Sequence, residues 1–562
     1  LPIESSVLES SLQEAATARV TLPGWIERIE GRTAGIGVIG LGYVGLPLAL
    51  LFSEERFRVT GFDIDAKKVK RLNAGQSYIH RIEPEQIQAA RSARFSATSD
   101  FSRVAEMDAV LICVPTPLHE DHTPDMSYIV ATVEAIAPHL RAGQLVVLES
   151  TTYPGTTEEI VVETINRHGV GRGVRVLRDG GVRAHVSETR HGAPATADPT
   201  RDDKAVTSGA PVRYGCFVSE GGDGAGATAD PSTPFGAKNA PNSAQDDTSI
   251  YSAQDDTSIY GAQDETSIYA AQEDTSVSRS ELDGVMVAFS PEREDPGNVV
   301  TPRRDIPKVV GGVDRRAAKA AAALYGAVFA KTVMMSSPAA AEMTKLLENI
   351  YRSVNIALVN EMKQLCQKMG IDVWEVIDAA ATKPFGFQAF YPGPGVGGHC
   401  IPVDPFYLSW KAEQYGFSTR FIELAGEVNE SMPLYVVETA ARALAGRGVE
   451  LCGAKVLVLG VAYKRDVDDL RESPSLTIIE LLQRAGAEVS YNDPFFETVG
   501  QGRKYTLNLS STPLSRVGEF DCVVIATDHS EYDYEKIVAE SRLVVDSRNA
   551  TRGYDSEKIV RC

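Results

Sequence analysis

Cysteine and tryptophan are scarce in this chain of 562 residues, and what is missing narrows the possibilities. Cys113, Cys216, Cys366, Cys400, Cys452, Cys522 and Cys562 form no CxxC pair. That argues against a disulfide framework and against a zinc site, so no metal is expected, and it suits a reducing cytoplasm. No run reaches the roughly 18 consecutive apolar residues of a bilayer-crossing helix, so no membrane association is expected. Leu1 to Glu30 lacks the basic and then apolar order of a secretory signal, although Leu1 in place of Met leaves an upstream segment open. Positive charge is also in deficit, with 56 Lys and Arg against 76 Asp and Glu and a net charge of -20. On average such a surface repels nucleic-acid phosphates and anionic lipid, while a single basic cleft for a small anion stays compatible with it.

What is present reads as an α/β protein. The length exceeds one hydrophobic core and implies two to four domains. Ile36 to Gly40, Arg58 to Phe62, Ala109 to Val114 and Leu145 to Leu148 are short apolar runs with helical patterns between them, the alternation of a parallel sheet covered on both faces. A second series, Lys455 to Leu459, Glu488 to Tyr491, Cys522 to Ala526 and Leu543 to Val545, predicts a second domain of the same kind. Ala339 to Met369 and Phe421 to Leu444 have helical patterns between the two series. The expected architecture is two Rossmann-like domains and a helical connector: an extension over 1–34, a first domain over 35–170 and 280–335, a central helical domain over 336–445, and a last domain over 446–562.

Residues 171–279 differ in character. A nine-residue repeat begins at Ala244, Ala253, Ala262 and Ala271, and between Asn242 and Val277 there are eight acidic residues and no Lys or Arg. One Ile-Tyr pair per unit gives little to bury, so disorder is expected. A partner-binding surface built on those pairs is the alternative. Loop-closure entropy grows only logarithmically with length, so a host domain tolerates such an insertion if its two ends are neighbours.

Gly40-Leu41-Gly42-Tyr43-Val44-Gly45 follows an apolar strand and opens a helix, with Asp63 at the end of the next strand. In that context the glycines serve a tight turn, approach to a pyrophosphate, and close helix packing. Asp63 would accept from an adenosine ribose and repel a 2'-phosphate, which favours NAD over NADP. Lys68, Thr116 and Thr151 are further candidate cofactor contacts. A capping role for Thr116 is the competing reading.

The run from Tyr391 through Gly393, Gly395, Gly397, Gly398, His399 and Cys400 to Asp404 is dense in glycine and delivers a cysteine at its exit. Dense glycine lets the backbone approach a ligand. A thiolate is a capable nucleophile once its pKa is lowered or a base stands nearby, and His399 and Asp404 are candidate neighbours. Lys345 and Asn349, four apart on one helical face, suit a developing oxyanion. An exposed structural pair is the alternative.

Together these motifs closely resemble the UDP-glucose/UDP-mannuronic-type nucleotide-sugar dehydrogenases, through Gly40 to Gly45, Glu149-Ser150-Thr151, Ser290-Pro291-Glu292-Arg293, Lys345 with Asn349, Gly393 to Asp404, and Lys464-Arg465-Asp466 followed by Arg471-Glu472-Ser473. The wording from His399 to Leu408, with Trp410 and Lys411, is similar to the UDP-N-acetylglucosamine 6-dehydrogenases, with UDP-N-acetylmannosamine or UDP-glucose as the alternative sugar. The resemblance implies an NAD domain, a connector at a homodimer or higher homo-oligomer contact, and a C-terminal domain that helps hold UDP. It implies two successive oxidations at C6 through a Cys400 thiohemiacetal and thioester. Lys345 and Asn349 then hold the oxyanion, Asp404 acts as base or orients water, Glu292 serves thioester hydrolysis, and Thr151 contacts water. Glu292, Arg293, Lys345, Asn349, Tyr391, Gly393, Gly397, Lys464 and Arg471 are the implied substrate contacts. A non-enzymatic nucleotide-sugar-binding scaffold is the remaining alternative, motivated by the acidic repeats.

Overall fold

The computed structural model describes residues 20–79, 82–119, 121–169, 174–178, 282–294, 301–502 and 506–562. The acidic repeats lie outside the described residues.

Gly35–Ile39 forms β1, buried along its whole length. Seven strands join it: β2 (Arg58–Phe62), β3 (Phe95–Thr98), β4 (Ala109–Ile112), β5 (Leu145–Leu148), β6 (Met286–Phe289), β7 (Lys308–Gly312) and β8 (Thr332–Met335). Their order is β3-β2-β1-β4-β5-β6-β7-β8, and only the β6–β7 pair is antiparallel. Alternate residues feed opposite layers: Ala109, Leu111, Leu145 and Val147 pack on one face, Val110, Ile112, Val146 and Leu148 on the other. Both faces are covered, by α1 (Leu22–Glu30) and α2 (Gly45–Glu54) on the first and by α3 (Ser127–Ile136) on the second, which explains the uninterrupted apolar runs. The strand order reverses between β1 and β4, the place where such sheets leave a crevice for ligands.

Val176 pairs with Val285 in a parallel bridge, reinforced by Leu177 N–H donating to Val285 O at 2.9 Å and Val285 N–H to Arg175 O at 2.8 Å. Composition placed Val176 and Leu177 inside the insertion. Both are buried in the core of the first sheet instead, so the host fold continues beyond the composition change.

A 32-residue helix, α4 (Pro338–Met369), follows. The Ser337 side chain accepts from Ala340 N–H, Pro338 takes the first turn, and Gly370 ends the helix at φ 70°. It spans about 48 Å at 1.5 Å per residue. It packs against α7 (Arg420–Ala445), with α5 (Val373–Ala381) and α6 (Asp404–Glu413) alongside.

The second sheet holds β9 (Lys455–Leu459), β10 (Glu488–Asn492), β13 (Cys522–Ile525), β14 (Val544–Asp546) and β15 (Ile559–Arg561) in the parallel order β10-β9-β13-β14-β15. Helix α8 (Pro474–Arg484) covers it, and a hairpin, β11 (Thr498–Gln501) and β12 (Thr506–Ser510), stands beside it. No described helix is long and apolar enough to cross a membrane.

Candidate active site

The turn after β1 is shaped for an anion. Gly40 sits at φ 87°, and a side chain on Gly45 would place its Cβ 1.9 Å from Gly40 O, so the helix start closes tightly on the strand end. A Cβ on Gly42 would meet nothing within 4 Å, which leaves the turn open on its ligand side. Helix α2 begins after Val44 with no side-chain cap; Leu46 N–H donates to Gly42 O at 3.1 Å and Pro47 has no N–H, so Gly45 supplies the N–H left at the helix start. Asp63 is buried and oriented: Oδ2 accepts from Leu41 N–H at 3.0 Å, Oδ1 accepts from Asp65 N–H at 2.9 Å, and Lys68 Nζ stands 3.6 Å away. Thr116 Oγ1 donates to Thr151 O at 2.9 Å, which sets both threonines together beyond β4 and β5. An open glycine turn, an uncapped helix start and a fixed carboxylate fit a dinucleotide.

Helix α4 presents Glu342, Lys345, Asn349 and Arg352 at helical spacing, the first three buried. The Arg352 guanidinium donates to Asn349 Oδ1. That fixes the amide so that Nδ2 donates to Asp404 Oδ2 at 2.6 Å. Asp404, fully buried at the first turn of α6, places its other oxygen 3.1 Å from His399 Nδ1. Burial pushes the Cys400 thiol up, the Asp404 charge adds to this, and Lys345, Arg352 and Arg471 pull the other way without prevailing. A nucleophilic role for this sulfur would therefore call for a base rather than a lowered pKa.

The loop glycines are explained by what packs on them. Gly395, at φ 128°, lies between Pro474, Asn429 O and Pro433. A Cβ on Gly397 would stand 2.5 Å from Tyr463, and one on Gly393 would stand 2.7 Å from the Arg548 guanidinium. Gly398 N–H donates to Arg471 O at 2.8 Å, and the Arg471 guanidinium lies 5.4 Å above the Tyr43 ring. Cys400, Lys345, Asn349, Asp404, Arg471 and Tyr43 are thus gathered around one loop.

Other candidates sit elsewhere. Glu292 pairs with Arg303 at 2.5 Å and lies 3.9 Å from Lys308. Burial acts to raise its pKa, but Lys308 and Arg303 prevail and hold the carboxyl well below the usual carboxylate range. Arg293 is committed to an ion pair with Glu348 of α4 at 2.5 Å and to Pro307 O at 2.7 Å. Tyr391 stacks on Trp374 with ring centroids 5.6 Å apart and donates to Asp378 at 2.9 Å. Lys464 lies in the loop after β9, one residue from Tyr463. Tyr407 donates to Thr116 O, Lys411 pairs with Glu159 at 2.7 Å, and Trp410 packs on Tyr153, so these three dock α6 against the first sheet. Sequence reasoning missed Arg352, Arg303, Lys308 and Arg548. Only Arg548 carried a usable signal, since it follows β14 at the carboxyl edge where such sheets place ligand contacts.

The profile for the NAD binding domain of the UDP-glucose/GDP-mannose dehydrogenase family matches residues 34–178, that for its central domain residues 339–431, and that for its UDP binding domain residues 457–553. A UDP-N-acetyl-D-mannosamine dehydrogenase of Methanococcus maripaludis is 28% identical over 92% of each chain. An NDP-N-acetyl-D-galactosaminuronic acid dehydrogenase of Ralstonia solanacearum is 30% identical over 91% of this chain and 95% of the relative. The solved UDP-D-ManNAc dehydrogenase of Pyrococcus horikoshii superposes with a TM-score of 0.67 at 26% identity, over 94% of this chain and 98% of that one. With its cofactor turn, thiol loop and second Rossmann-like sheet matched in order, the chain belongs to the UDP-glucose/GDP-mannose dehydrogenase family and is an NAD-dependent nucleotide-sugar dehydrogenase.

Proposed function

We infer that the chain oxidises the C6 hydroxyl of a UDP-N-acetylhexosamine to the uronic acid, with Cys400 as covalent nucleophile. The observation that carries this reading is the convergence of Cys400, Lys345, Asn349 and Asp404 on one loop and one helix face. NAD, held at the Gly40 to Gly45 turn, would supply the hydride acceptor for each of the two oxidations, one molecule for each. The protein's part is to hold the intermediate between the two oxidations. The Cys400 sulfur adds to the C6 aldehyde, the Lys345 ammonium and Asn349 amide steady the oxygen, and the resulting thiohemiacetal carbon can lose a second hydride to give a thioester, which water cleaves. Glu292, fixed by Arg303, and Thr151 line the route proposed for that water.

Gly393 and Gly397, with Lys464, Arg471 and Arg548 around them, are the proposed diphosphate contacts. A groove of about 460 Å³ lined by Trp374, Asp378, Asn549 and Arg552 adjoins Tyr391 and has room for the nucleoside. The wording of the loop favours UDP-N-acetylglucosamine. The Methanococcus and Pyrococcus relatives are named for UDP-N-acetylmannosamine, which differs only in C2 configuration, and the Ralstonia relative for N-acetylgalactosaminuronic acid. Incubating the protein with NAD and each UDP-sugar separates them: the true substrate yields about two NADH per sugar consumed, one per oxidation. One NADH with free aldehyde accumulating contradicts covalent capture.

Exposed Leu347, Tyr351, Leu358, Met362, Leu365 and Met369 follow one face of α4. So long an apolar stripe suits a homodimer contact.

A further inference from the structure

The sequence offered both His399 and Asp404 as neighbours of the thiol, and their geometry separates their roles. Asp404 has no exposed side-chain surface, and each of its carboxylate oxygens faces a donor, Asn349 Nδ2 at 2.6 Å and His399 Nδ1 at 3.1 Å. A carboxylate oxygen only accepts, so Nδ1 carries the hydrogen and Nε2 of the neutral imidazole keeps its lone pair. The His399 side chain is 29% exposed, whereas the Asp404 side chain is 0% exposed. Cys400 follows His399 in the chain and the Asp404 charge acts on its thiol, so carboxylate, imidazole and thiol belong to one loop, the three kinds of group that hydrolases built on cysteine also use.

We propose that His399 Nε2 is the proton acceptor for the Cys400 thiol and that Asp404 is its positioning residue, holding the tautomer. The assignment rests on the reading of Cys400 as nucleophile. As the S–C bond to the aldehyde carbon forms, the S–H bond breaks and its proton passes to Nε2. The carbonyl electron pair moves onto the oxygen beside Lys345. The resting thiol, pushed up by burial and by Asp404, leaves that proton in need of an acceptor. The charged and titratable groups around this loop are Asp404 from α6, Lys345 and Arg352 from α4, and Arg471 and Tyr463 from the loop after β9.

The test is the rate of Cys400 alkylation by iodoacetamide between pH 6 and 9, read by peptide mass spectrometry on protein without cofactor or sugar. His399→Gln keeps a donor for Asp404 but has no basic atom. It is expected to slow alkylation at pH 7 at least about tenfold. Asp404→Asn, a second route should the first variant fold poorly, is expected to slow it by a smaller factor. Alkylation at the wild-type rate at every pH in both variants would overturn the proposal and leave His399 as a structural tie. Acid formation by Cys400→Ser would instead sink the nucleophile reading itself.

Discussion

Cys400 and Glu342 show how burial sets chemistry in this protein. Cys400→Ser is expected to abolish uronic acid formation, a loss of at least about 10³-fold in kcat, because no other group can carry the sugar between oxidations. Single-turnover NADH release measured alongside shows whether the first oxidation survives. Glu342 accepts from Gly155 N–H at 2.6 Å, Thr157 N–H at 2.9 Å and Thr157 Oγ1 at 2.7 Å, yet burial outweighs these donors and raises its pKa from 4.5 to about 7. A carboxyl raised on folding contributes stability that is complete below about 4.5 and lost as pH climbs through about 7, on the order of 3 kcal/mol by pH 8. The melting temperature should therefore fall from pH 5 to pH 8, and Glu342→Gln should flatten that decline. An unchanged slope would show that the three donors compensate fully. Dense glycine singled out Cys400 and Asp404 before any fold is known, whereas the four-residue spacing of Lys345 and Asn349 is a weak signal that took its meaning from the family resemblance. Arg352 was not legible, because an arginine on a long helix acquires meaning only when the amide it orients is seen to reach Asp404.

Strands were legible where an apolar run stands at regular α/β spacing from the next. Arg58–Phe62, Leu145–Leu148 and Lys455–Leu459 were bounded from sequence as they are found, since the stretch of each strand that is covered on both faces is mostly apolar. β7 and β8 were not recognised. β7 offers only Val309 and Val310 before two glycines, and β8 is half-exposed at the sheet edge, so neither has the apolar run that gave the others away. The charge on β7 is held by a buried pair: Lys308 Nζ lies 2.6 Å from Glu149 Oε2, and Tyr325 donates to the same carboxylate. Removing one partner strands the other, so Lys308→Met should cost about 3–5 kcal/mol in urea unfolding. Adding Glu149→Gln should recover most of it, because Gln still accepts from Tyr325. No recovery would mean that the loss lies in packing rather than charge. If α4 carries the proposed homodimer contact, Leu347→Asp with Leu358→Asp should yield monomers in analytical ultracentrifugation, and an unchanged mass would rule out this face as the contact.

Considered as one molecule, the chain is two Rossmann-like sheets served by a shared set of helices, and that plan was readable from two series of apolar runs. The size of the host around the insertion was not, because Val176 and Leu177 look like loop until the Val176–Val285 bridge is seen. The bridge is parallel, so a return connection of about a dozen residues is enough to reach from one strand to the start of the other. Replacing residues 179–281 by a Gly/Ser linker of that length should leave NAD binding and the melting temperature within error of the full chain. Loss of folding would show that this stretch is part of the host. The contact of Arg471 with Tyr43 has a wider consequence. One guanidinium from the far half of the chain rests on the nucleotide cradle while its own carbonyl fastens the thiol loop, so a nicotinamide cofactor arriving at one end and a diphosphate at the other would compete for, or cooperate through, the same side chain. Order of addition and product inhibition in this enzyme then become properties of a single arginine rather than of either half alone.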